Sequence, residues 1–412
     1  MAQPLEPSWS LAHPVEGPLV ARIKTFTSRM MEQGYAASSV HVDTRLIADF
    51  SRWLKEVDVA LPQITPGHVD QYLKYRVHHR RPREGDLLAL TRLLTLLREE
   101  GDIAPVESLP IEASPADQLV EKFAGYLRKE RSLVPNTIRA YVPVARRFLA
   151  ERFGSGVANL RELSASDVVA FVRRVAASHH PRYAKTMTSA LRSFLQFARY
   201  RGDLTSDLAA AIPAVANWSQ TSIPRAIAPD HARAILAHCD IQTAVGRRDH
   251  AILLLLARLG LRACEICELK LEDMDWEAGQ LRVRGKGGRE CQLPLPAEVG
   301  DSIASYLQHG RPSSTDRHLF LRARAPIREL QPPQAIGAIV TAAFERAGIE
   351  SSRKGAHQFR HALATQMLNH GASLAEIGKV LRHRTLQTTT IYAKVDLTAL
   401  RALALPWPGA AS

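Results

Sequence analysis

Residues 280–295, QLRVRGKGGRECQLPL, contain the clearest strand pattern in this chain of 412 residues. Leu281 and Val283 alternate with polar residues before the glycines, and Leu293 and Leu295 alternate after them. Two stretches of period-two alternation around a glycine-rich turn predict a β-hairpin. Elsewhere the apolar residues recur mostly at helical spacing. The sequence therefore predicts a mainly α-helical protein with a small β-hairpin or sheet.

Helices are predicted on both sides of the hairpin. DHARAILAHC (230–239) and HAILLLLARLGL (250–261) precede it, and the chain is again helical in pattern from about Pro332 onward. We expect residues 230–396 to form one domain. Residues 206–229 contain three prolines and no sustained periodicity, which predicts an interdomain linker.

The N-terminal half contains an internal repeat. The stretch from Leu19 runs parallel to the stretch from Leu119, and each copy continues to a polar helix start, at Thr65-Pro66 or at Ser164. Each copy predicts a bundle of about four helices, at 19–110 and 115–205, after a flexible segment 1–18. Chance similarity between two amphipathic bundles is the alternative.

Charge distinguishes the two copies. The chain carries a net charge of +13, but residues 19–105 contribute only +2 while residues 119–205 contribute +10. The second copy is therefore expected to bind nucleic acid, and the first to be a protein-contact module or a weak arm on DNA. A hydrophobic content of 46% excludes wholesale disorder, and four cysteines exclude a disulfide framework. No secretory signal is visible, and the apolar runs are too short to span a bilayer.

A basic cluster lies near the C-terminus. Residues 352–394 contain seven lysines and arginines but a single acid, Glu376. His357 and Arg360 share one helical face and suit a phosphate. The alternative is a solvated basic face without a specific function. A metal site at His357, His361 and His383 is disfavoured, because carboxylates or thiols to complete it are missing nearby.

The pair Cys264 and Cys267 has the spacing of half a redox or zinc motif. Thiols at i, i+3 on an apolar helix face are more often core residues, and we expect that role here.

Four motifs in order carry a family resemblance: GLRACEICELKLEDMDW, the Gly-Lys-Gly-Gly hairpin, HQFRHALATQML and VLRHRTLQTTTIYAKV. The C-terminal segment resembles the catalytic domain of the tyrosine recombinases, the phage integrase family. The second repeat copy resembles their helical core-binding domain. The resemblance covers about residues 119–395 and implies helical core-binding domains joined to a mixed α/β catalytic domain. The first copy has no firm counterpart.

The resemblance assigns roles to residues at matching positions. It implies that Glu265 supports the surroundings of Arg262, and that Arg382 stands where glycine is commoner, which leaves the local turn in doubt. The implied catalytic residues are Arg262, Lys286, His357, Arg360, His383 and, as nucleophile, Tyr392.

Elementary chemistry agrees with these roles. A phenol with a pKa near 10 attacks poorly at neutral pH unless cations stabilise its phenolate. Arg262, Arg360 and His383 are expected to neutralise the phosphate oxygens, and Lys286 to protonate the departing 5′ oxygen. We therefore expect neither a metal nor another cofactor.

The implied partners are double-stranded DNA and further copies of the chain. A homotetramer would exchange strands between two DNA sites, alone or beside sister recombinases, with residues 397–412 docking onto a neighbouring subunit. We expect no membrane contact and a cytoplasmic, nucleoid-associated location of bacterial type. The expected DNA-binding residues of the second copy are Arg139, Tyr141, Arg182, Lys185 and Arg192.

Two other functions remain open at this stage. One is nicking and closing of DNA, as in type IB topoisomerases, without exchange of partners. The other is a non-catalytic DNA-binding accessory protein, which would not need to keep Tyr392 and Lys286 together.

Overall fold

The computed structural model describes residues 14–105, 114–154, 158–214, 226–285, 289–351, 354–383 and 385–395, with the backbone alone at 181, 182 and 386. The chain divides into two compact units: one comprises residues 105–221, and the other combines residues 1–104 with 222–412. The predicted flexible start (residues 1–13 of it) and the tail 397–412 lie outside the described residues. No described helix is both long enough and apolar enough to cross a bilayer.

The first repeat copy folds as a bundle of four α-helices. They are α1 (Val20–Glu32), α2 (Ala37–Glu56), α3 (Pro66–Val77) and α4 (Asp86–Glu99), with a 3-10 turn, Leu61–Gln63, between the second and third. The predicted helix start at Thr65 is present, because the Thr65 N–H donates to His68 Nδ1 over 3.0 Å. The core centres on Phe50, which is fully buried and packs against Tyr72 at a ring distance of 4.9 Å.

The second copy repeats this layout. Its helices are α5 (Pro115–Lys129), α6 (Pro135–Phe153), α7 (Ala165–Ser178) and α8 (Pro181–Tyr200), with a 3-10 turn at Leu160–Glu162. Ser164 begins α7 through a capping box: its Oγ accepts from Asp167 N, and its N–H donates to Asp167 Oδ2 over 2.9 Å. The shared order of four helices with a 3-10 turn in the middle is the structural form of the sequence repeat.

Part of the predicted linker packs into the second bundle. Leu208, Ala209 and Ile212 are buried in the same core as α5–α8, whereas Ile227 belongs to the core of the C-terminal segment. Residues 215–225 lie outside the described part of the chain. The prolines suggested a linker from residue 206, but the apolar residues of 208–212 have a core to join.

The C-terminal segment is mostly helical around one small sheet. Its helices are α9 (Pro229–Ala237), α10 (Ala244–Leu259), α11 (Ala263–Glu268), α12 (Ala297–His309), α13 (Gln334–Arg346), α14 (His357–Asn369) and α15 (Leu374–Val380), followed by 3-10 turns at Leu386–Thr388 and Thr390–Val395. The helix α10 is central, because every residue of its stretch 251–256 is fully buried.

The predicted hairpin is confirmed and gains a third strand. The antiparallel strands are β1 (Met274–Asp275), β2 (Gln280–Arg284) and β3 (Glu290–Pro294), in that order. Leu281 pairs with Leu293 and Val283 with Cys291, so the apolar side chains of β2 enter the core together. The turn closes with a 2.7 Å hydrogen bond from Gly285 N to Arg289 O, and residues 286–288 are not described.

Gly260 ends α10 and starts the segment that carries the first predicted site residues. It adopts a left-handed conformation with φ of +57°. A β-carbon there would lie 3.0 Å from methyl groups of both Leu363 and Leu381. Glycine is therefore required for two reasons, the backbone angle and the close approach of two neighbouring segments.

The core of the second bundle supplies a stability prediction. The ring of Phe194 is fully buried and lies 5.4 Å from that of Phe123. Phe194→Ala is expected to lower the opening free energy of this bundle by about 3–5 kcal/mol, measured by amide hydrogen exchange in α5 and α8. Tyr200→Ala is the matched control, since Tyr200 ends the same helix with 76% of its surface exposed. Equal losses for the two variants would contradict this packing.

Candidate active site

Four separate segments bring the predicted site residues together. The end of α10 and start of α11 supply Arg262 and Glu265, and α14 supplies His357 and Arg360. The turn after α15 carries His383, and the last 3-10 turn carries Tyr392. Lys286, in the β2–β3 turn, lies outside the described residues.

Arg262 and Glu265 form a capping box at the start of α11. The backbone N–H of Arg262 donates to Glu265 Oε2 over 2.9 Å, and its Nη1 donates to Oε1 over 2.6 Å. Burial pushes the pKa of Glu265 upward, but the Arg262 N–H and the positive charge of Arg382 outweigh it and hold the pKa below its usual value. The carboxylate is thus ionised and holds the Arg262 side chain in place.

Arg382 is the second cation on the same carboxylate. Its Nη2 donates to Glu265 Oε2 over 3.0 Å, and its backbone has a φ of +52°. Glycine is commoner at this position in the family, and the turn is left-handed here as well. The β-carbon of Arg382 makes this backbone conformation sterically unfavourable. The guanidinium lies beside Arg262 and increases the positive charge of the site.

Arg360 is the most enclosed cation of the group. Only 4% of its surface is exposed, and its guanidinium donates to the carbonyl oxygens of Gly260 and Leu381. Burial, followed by repulsion from Arg262 and Arg382, lowers the pKa of Arg360 to about 10. It remains a cation at neutral pH.

Tyr392 lies among these residues in the same chain, with 2% of its surface exposed. Its Oη is 2.9 Å from His361 Nδ1. The ring is parallel to that of His383, with centroids 6.5 Å apart, and tilted by 62° against that of His361. Burial raises the pKa of Tyr392, and Arg360 opposes this only in part.

Two electrostatic expectations are corrected by this geometry. In the free protein the pKa of the phenol is raised, because the effect of burial is larger than the opposing effect of Arg360. His383 is not a cation at neutral pH: burial and the charges of Arg360 and Arg262 lower its pKa to about 4. Its Nδ1 lies 2.7 Å from Thr389 Oγ1, so His383 is available as a neutral hydrogen-bond donor.

Sequence reasoning missed three residues of the site. His361 contacts the hydroxyl of Tyr392, Arg382 contacts Glu265, and the fully buried Thr389 holds His383. His357, a catalytic residue by the family resemblance, is exposed on the surface, with its ring 6.4 Å from that of His361. The spacing HQFRH placed both histidines on one face and could not say which one meets a segment 31 residues away.

The cysteine pair of α11 divides between core and surface. Cys267 is buried, as expected, but Cys264 is exposed, so the core expectation is wrong for that residue. Burial raises the pKa of the Cys267 thiol to about 12. Within the described ranges, no group of three or more histidines, cysteines and acids is arranged to hold a metal ion.

Comparison with known proteins agrees with this arrangement. The model of the phage integrase family matches residues 225–398, and that of the phage integrase N-terminal SAM-like domain matches residues 120–202. A Sinorhizobium fredii protein that bears the name integrase/recombinase y4rA is 49% identical over 403 residues, 98% of each chain. The chain belongs to the phage integrase family of tyrosine recombinases.

A second relative is more distant but bears a more specific name. The tyrosine recombinase XerA of Thermococcus onnurineus is 31% identical over 286 residues, 69% of this chain and 93% of the relative. A crystal structure of the XerH site-specific recombinase bound to a palindromic difH substrate aligns with a TM-score of 0.56. It covers 70% of this chain and 84% of that one at 19% identity, a likeness of fold. The family resemblance and fold class are confirmed, and the protein is a tyrosine recombinase.

The candidate DNA-binding residues of the recombinase lie on α6 and α8. Arg139 and Lys185 are exposed, Arg192 and Tyr141 are half-buried, and the side chain of Arg182 is not described. Among the described side chains of this bundle, Arg139, Lys185 and Arg192 form no ion pair. Other arginines of the copy do, as Arg146 with Asp117, Arg147 and Arg174 with Glu151, Arg199 with Asp207, and Arg201 with Asp203.

The left-handed turn at Arg382 makes a stability prediction. Arg382→Gly and Arg382→Ala both remove the guanidinium from Glu265, which is 1% exposed, so each should destabilise the recombinase by about 1–3 kcal/mol. The free energy of unfolding of the glycine variant should be up to about 1 kcal/mol higher than that of the alanine variant, because only alanine keeps a β-carbon at positive φ. Urea unfolding of the two variants side by side measures this difference. An alanine variant as stable as the glycine variant would speak against the turn geometry.

Proposed function

We propose that this recombinase cuts DNA through Tyr392 and holds the broken strand as a 3′-phosphotyrosine. The Tyr392 oxygen loses its proton to a neighbouring base and bonds to phosphorus, the bond from phosphorus to the 5′ oxygen breaks, and that oxygen takes a proton from Lys286. The free 5′ hydroxyl of a second duplex then attacks the phosphotyrosine and releases Tyr392. Because the energy of the broken bond is kept in the ester, rejoining needs no nucleotide cofactor.

One observation carries the proposal. The hydroxyl of Tyr392 contacts His361, its ring lies beside those of His361 and His383, and Arg360 is close enough to act on its pKa. Arg262 and Arg382 in turn lower the pKa of Arg360, so the three cations act on one small region. A phosphodiester next to Tyr392 would face these guanidinium groups as charge builds on its oxygens.

Each cation has a distinct part in this chemistry. Arg262 is partly exposed and is the guanidinium most accessible to a phosphate, while Glu265 keeps it oriented. Arg360 contributes its positive charge without direct contact through these donors, because two of its N–H groups already donate to backbone carbonyls. His383 is neutral, and its Nδ1 accepts a hydrogen bond from Thr389. Its Nε2 then carries the hydrogen and donates a hydrogen bond to a phosphate oxygen.

Strand exchange requires more than one active site. We propose a homotetramer on two duplexes, with sister recombinases as alternative partners, and passage through a four-way junction. The apolar tail 397–412 would dock onto the neighbouring subunit, because an isolated amphipathic segment of that length needs a surface. The bacterial nucleoid is the proposed place of action.

The second bundle is proposed to grip DNA through cations that form no ion pair with the described side chains. A side chain already bound to a carboxylate must break that ion pair before it can neutralise a phosphate and release a counterion from DNA. Arg139, Lys185 and Arg192 are therefore better candidates than the ion-paired arginines of the same bundle. In the first bundle many arginines are paired, including Arg22 with Asp102, Arg29 with Glu99 and Arg92 with Asp43, which favours a protein-contact role there.

Tyr392→Phe tests the nucleophile. The variant should form no covalent protein–DNA adduct but should bind DNA as the parent does, because only the attacking oxygen is lost. The probe is a set of nicked duplexes from the flanks of the protein's own gene, and the adduct is detected on denaturing gels and mapped by peptide sequencing. Tyr200→Phe, an exposed tyrosine, is the control and should form the adduct normally. Strand exchange by the Tyr392 variant would overturn the mechanism.

Salt dependence tests the DNA-binding residues. Lys185→Ala should weaken binding to duplex DNA and reduce the slope of log affinity against log salt by about 1, because one phosphate contact is lost. Arg146→Ala is matched to it, since Arg146 is exposed in the same bundle but paired with Asp117 over 3.2 Å. Fluorescence anisotropy titrations at several salt concentrations measure both. A larger effect at Arg146 would refute the assignment.

A further inference from the structure

We infer that His361 is a catalytic residue that takes the proton from Tyr392 Oη as that oxygen attacks phosphorus, and returns it when the strand is rejoined. In the forward step the lone pair on His361 Nδ1 forms the N–H bond while the O–H bond of Tyr392 breaks. The electron pair of that bond becomes the new bond from oxygen to phosphorus. This inference rests on the proposed function and names the base that the nucleophile needs.

The geometry is that of a nucleophile and its base. The distance from His361 Nδ1 to Tyr392 Oη is 2.9 Å, within the range for direct proton transfer. The two rings are tilted by 62°, with centroids 5.6 Å apart, so the imidazole edge points at the hydroxyl. Both residues are enclosed, since Tyr392 is buried and His361 is half-buried.

The fold holds His361 in this position. It follows Arg360 directly on α14, and Arg360 is tied to the carbonyls of Gly260 and Leu381. Neighbouring residues on a helix project about 100° apart. With Arg360 fixed toward those carbonyls, His361 is directed to the adjoining side of the helix, where the 3-10 turn Thr390–Val395 packs.

The protonation states suit the role. Burial, followed by the charges of His357 and Arg360, lowers the pKa of His361, so the ring is neutral at pH 7 and has a free lone pair. His361 in turn interacts with His383, whose pKa it helps to lower. When Nε2 carries the hydrogen, Nδ1 accepts from the phenol. Without a base, a phenol of ordinary pKa would be ionised in only about one molecule per thousand at pH 7.

The other histidines are less suitable as the base. His383 directs its Nδ1 at Thr389, and with a pKa of about 4 it binds a proton too weakly. His357 is exposed at the first position of α14, one helical turn before His361. The ring contacts of Tyr392 among the described side chains are with His361 and His383.

Two substitutions separate a base from a positioning residue. His361→Asn keeps an acceptor atom where Nδ1 stands, so it can hold the Tyr392 hydroxyl but cannot take its proton. His361→Phe removes both functions. His370→Asn is the matched control, because His370 is an exposed histidine immediately after the same helix and contacts only the Gln366 carbonyl in the described hydrogen bonds. Binding to intact DNA checks that each variant is folded.

The measurement is the single-turnover rate of covalent adduct formation on the nicked duplexes, from pH 6 to pH 9. The parent should give a rate nearly independent of pH above 7, because neutral His361 is already the major form. His361→Asn should be slower at pH 7 by about 100-fold or more and should gain roughly tenfold per pH unit, since only the ionised phenol then attacks. Added imidazole should restore part of the rate in the asparagine variant.

The possible results separate a failure of the inference about His361 from a failure of the proposed function. A His361→Asn enzyme with the parent's rate and flat profile would show that His361 only positions Tyr392, and the inference would be wrong. A loss that is uniform across pH and insensitive to imidazole would do the same. If the parent itself forms no adduct, or forms it without Tyr392, the proposed function fails before the role of His361 is reached.

Discussion

The active site depends on one buried guanidinium. Arg360 lies in α14 and donates to the carbonyls of Gly260, at the end of α10, and Leu381, at the end of α15. Backbone carbonyls at helix ends lack partners within their own helix, and a buried cation needs acceptors. The carbonyls gain a donor and the buried guanidinium gains acceptors. The contact also fixes α10, α14 and α15 relative to one another in the site that contains Tyr392.

This arrangement leaves the site with more positive than negative charge. Three arginines, at 262, 360 and 382, act on one another, and among the described side chains Glu265 is the carboxylate bound to two of them. Burial is the main cause of the lowered pKa of Arg360, and repulsion from Arg262 and Arg382 adds to it. A phosphodiester carries the charge that would relieve it, so the electrostatic repulsion within the free protein becomes binding energy for DNA.

The protonation state of the nucleophile is set mainly by burial. Tyr392 is buried and lies near two histidine rings, both with lowered pKa values, and its own pKa is raised. The free protein therefore keeps a protonated phenol next to neutral imidazoles. In the mechanism that we propose, reaction depends on moving one proton over the 2.9 Å hydrogen bond to His361. It does not require a phenolate that persists in the absence of DNA.

Several features were predictable because they are local. The alternation around Gly285 predicted the hairpin, Thr65 and Ser164 predicted helix starts, and the repeat predicted two similar bundles. The motif order predicted the family, and the i, i+3 spacing of Arg262 and Glu265 is itself the capping box.

Other features were decided by contacts between distant segments. The sequence offered several histidines as partners for Tyr392, and the packing of the last 3-10 turn against α14 selected His361. It also offered no reason to pair Arg382 with Glu265, or to place residues 208–212 in a core. Burial reversed the expected direction of the pKa of Tyr392, because desolvation depends on what surrounds a group. By itself the sequence determined which chemical groups are available and the local elements that carry them. Only the tertiary structure decided which of these groups touch and how far each is removed from water.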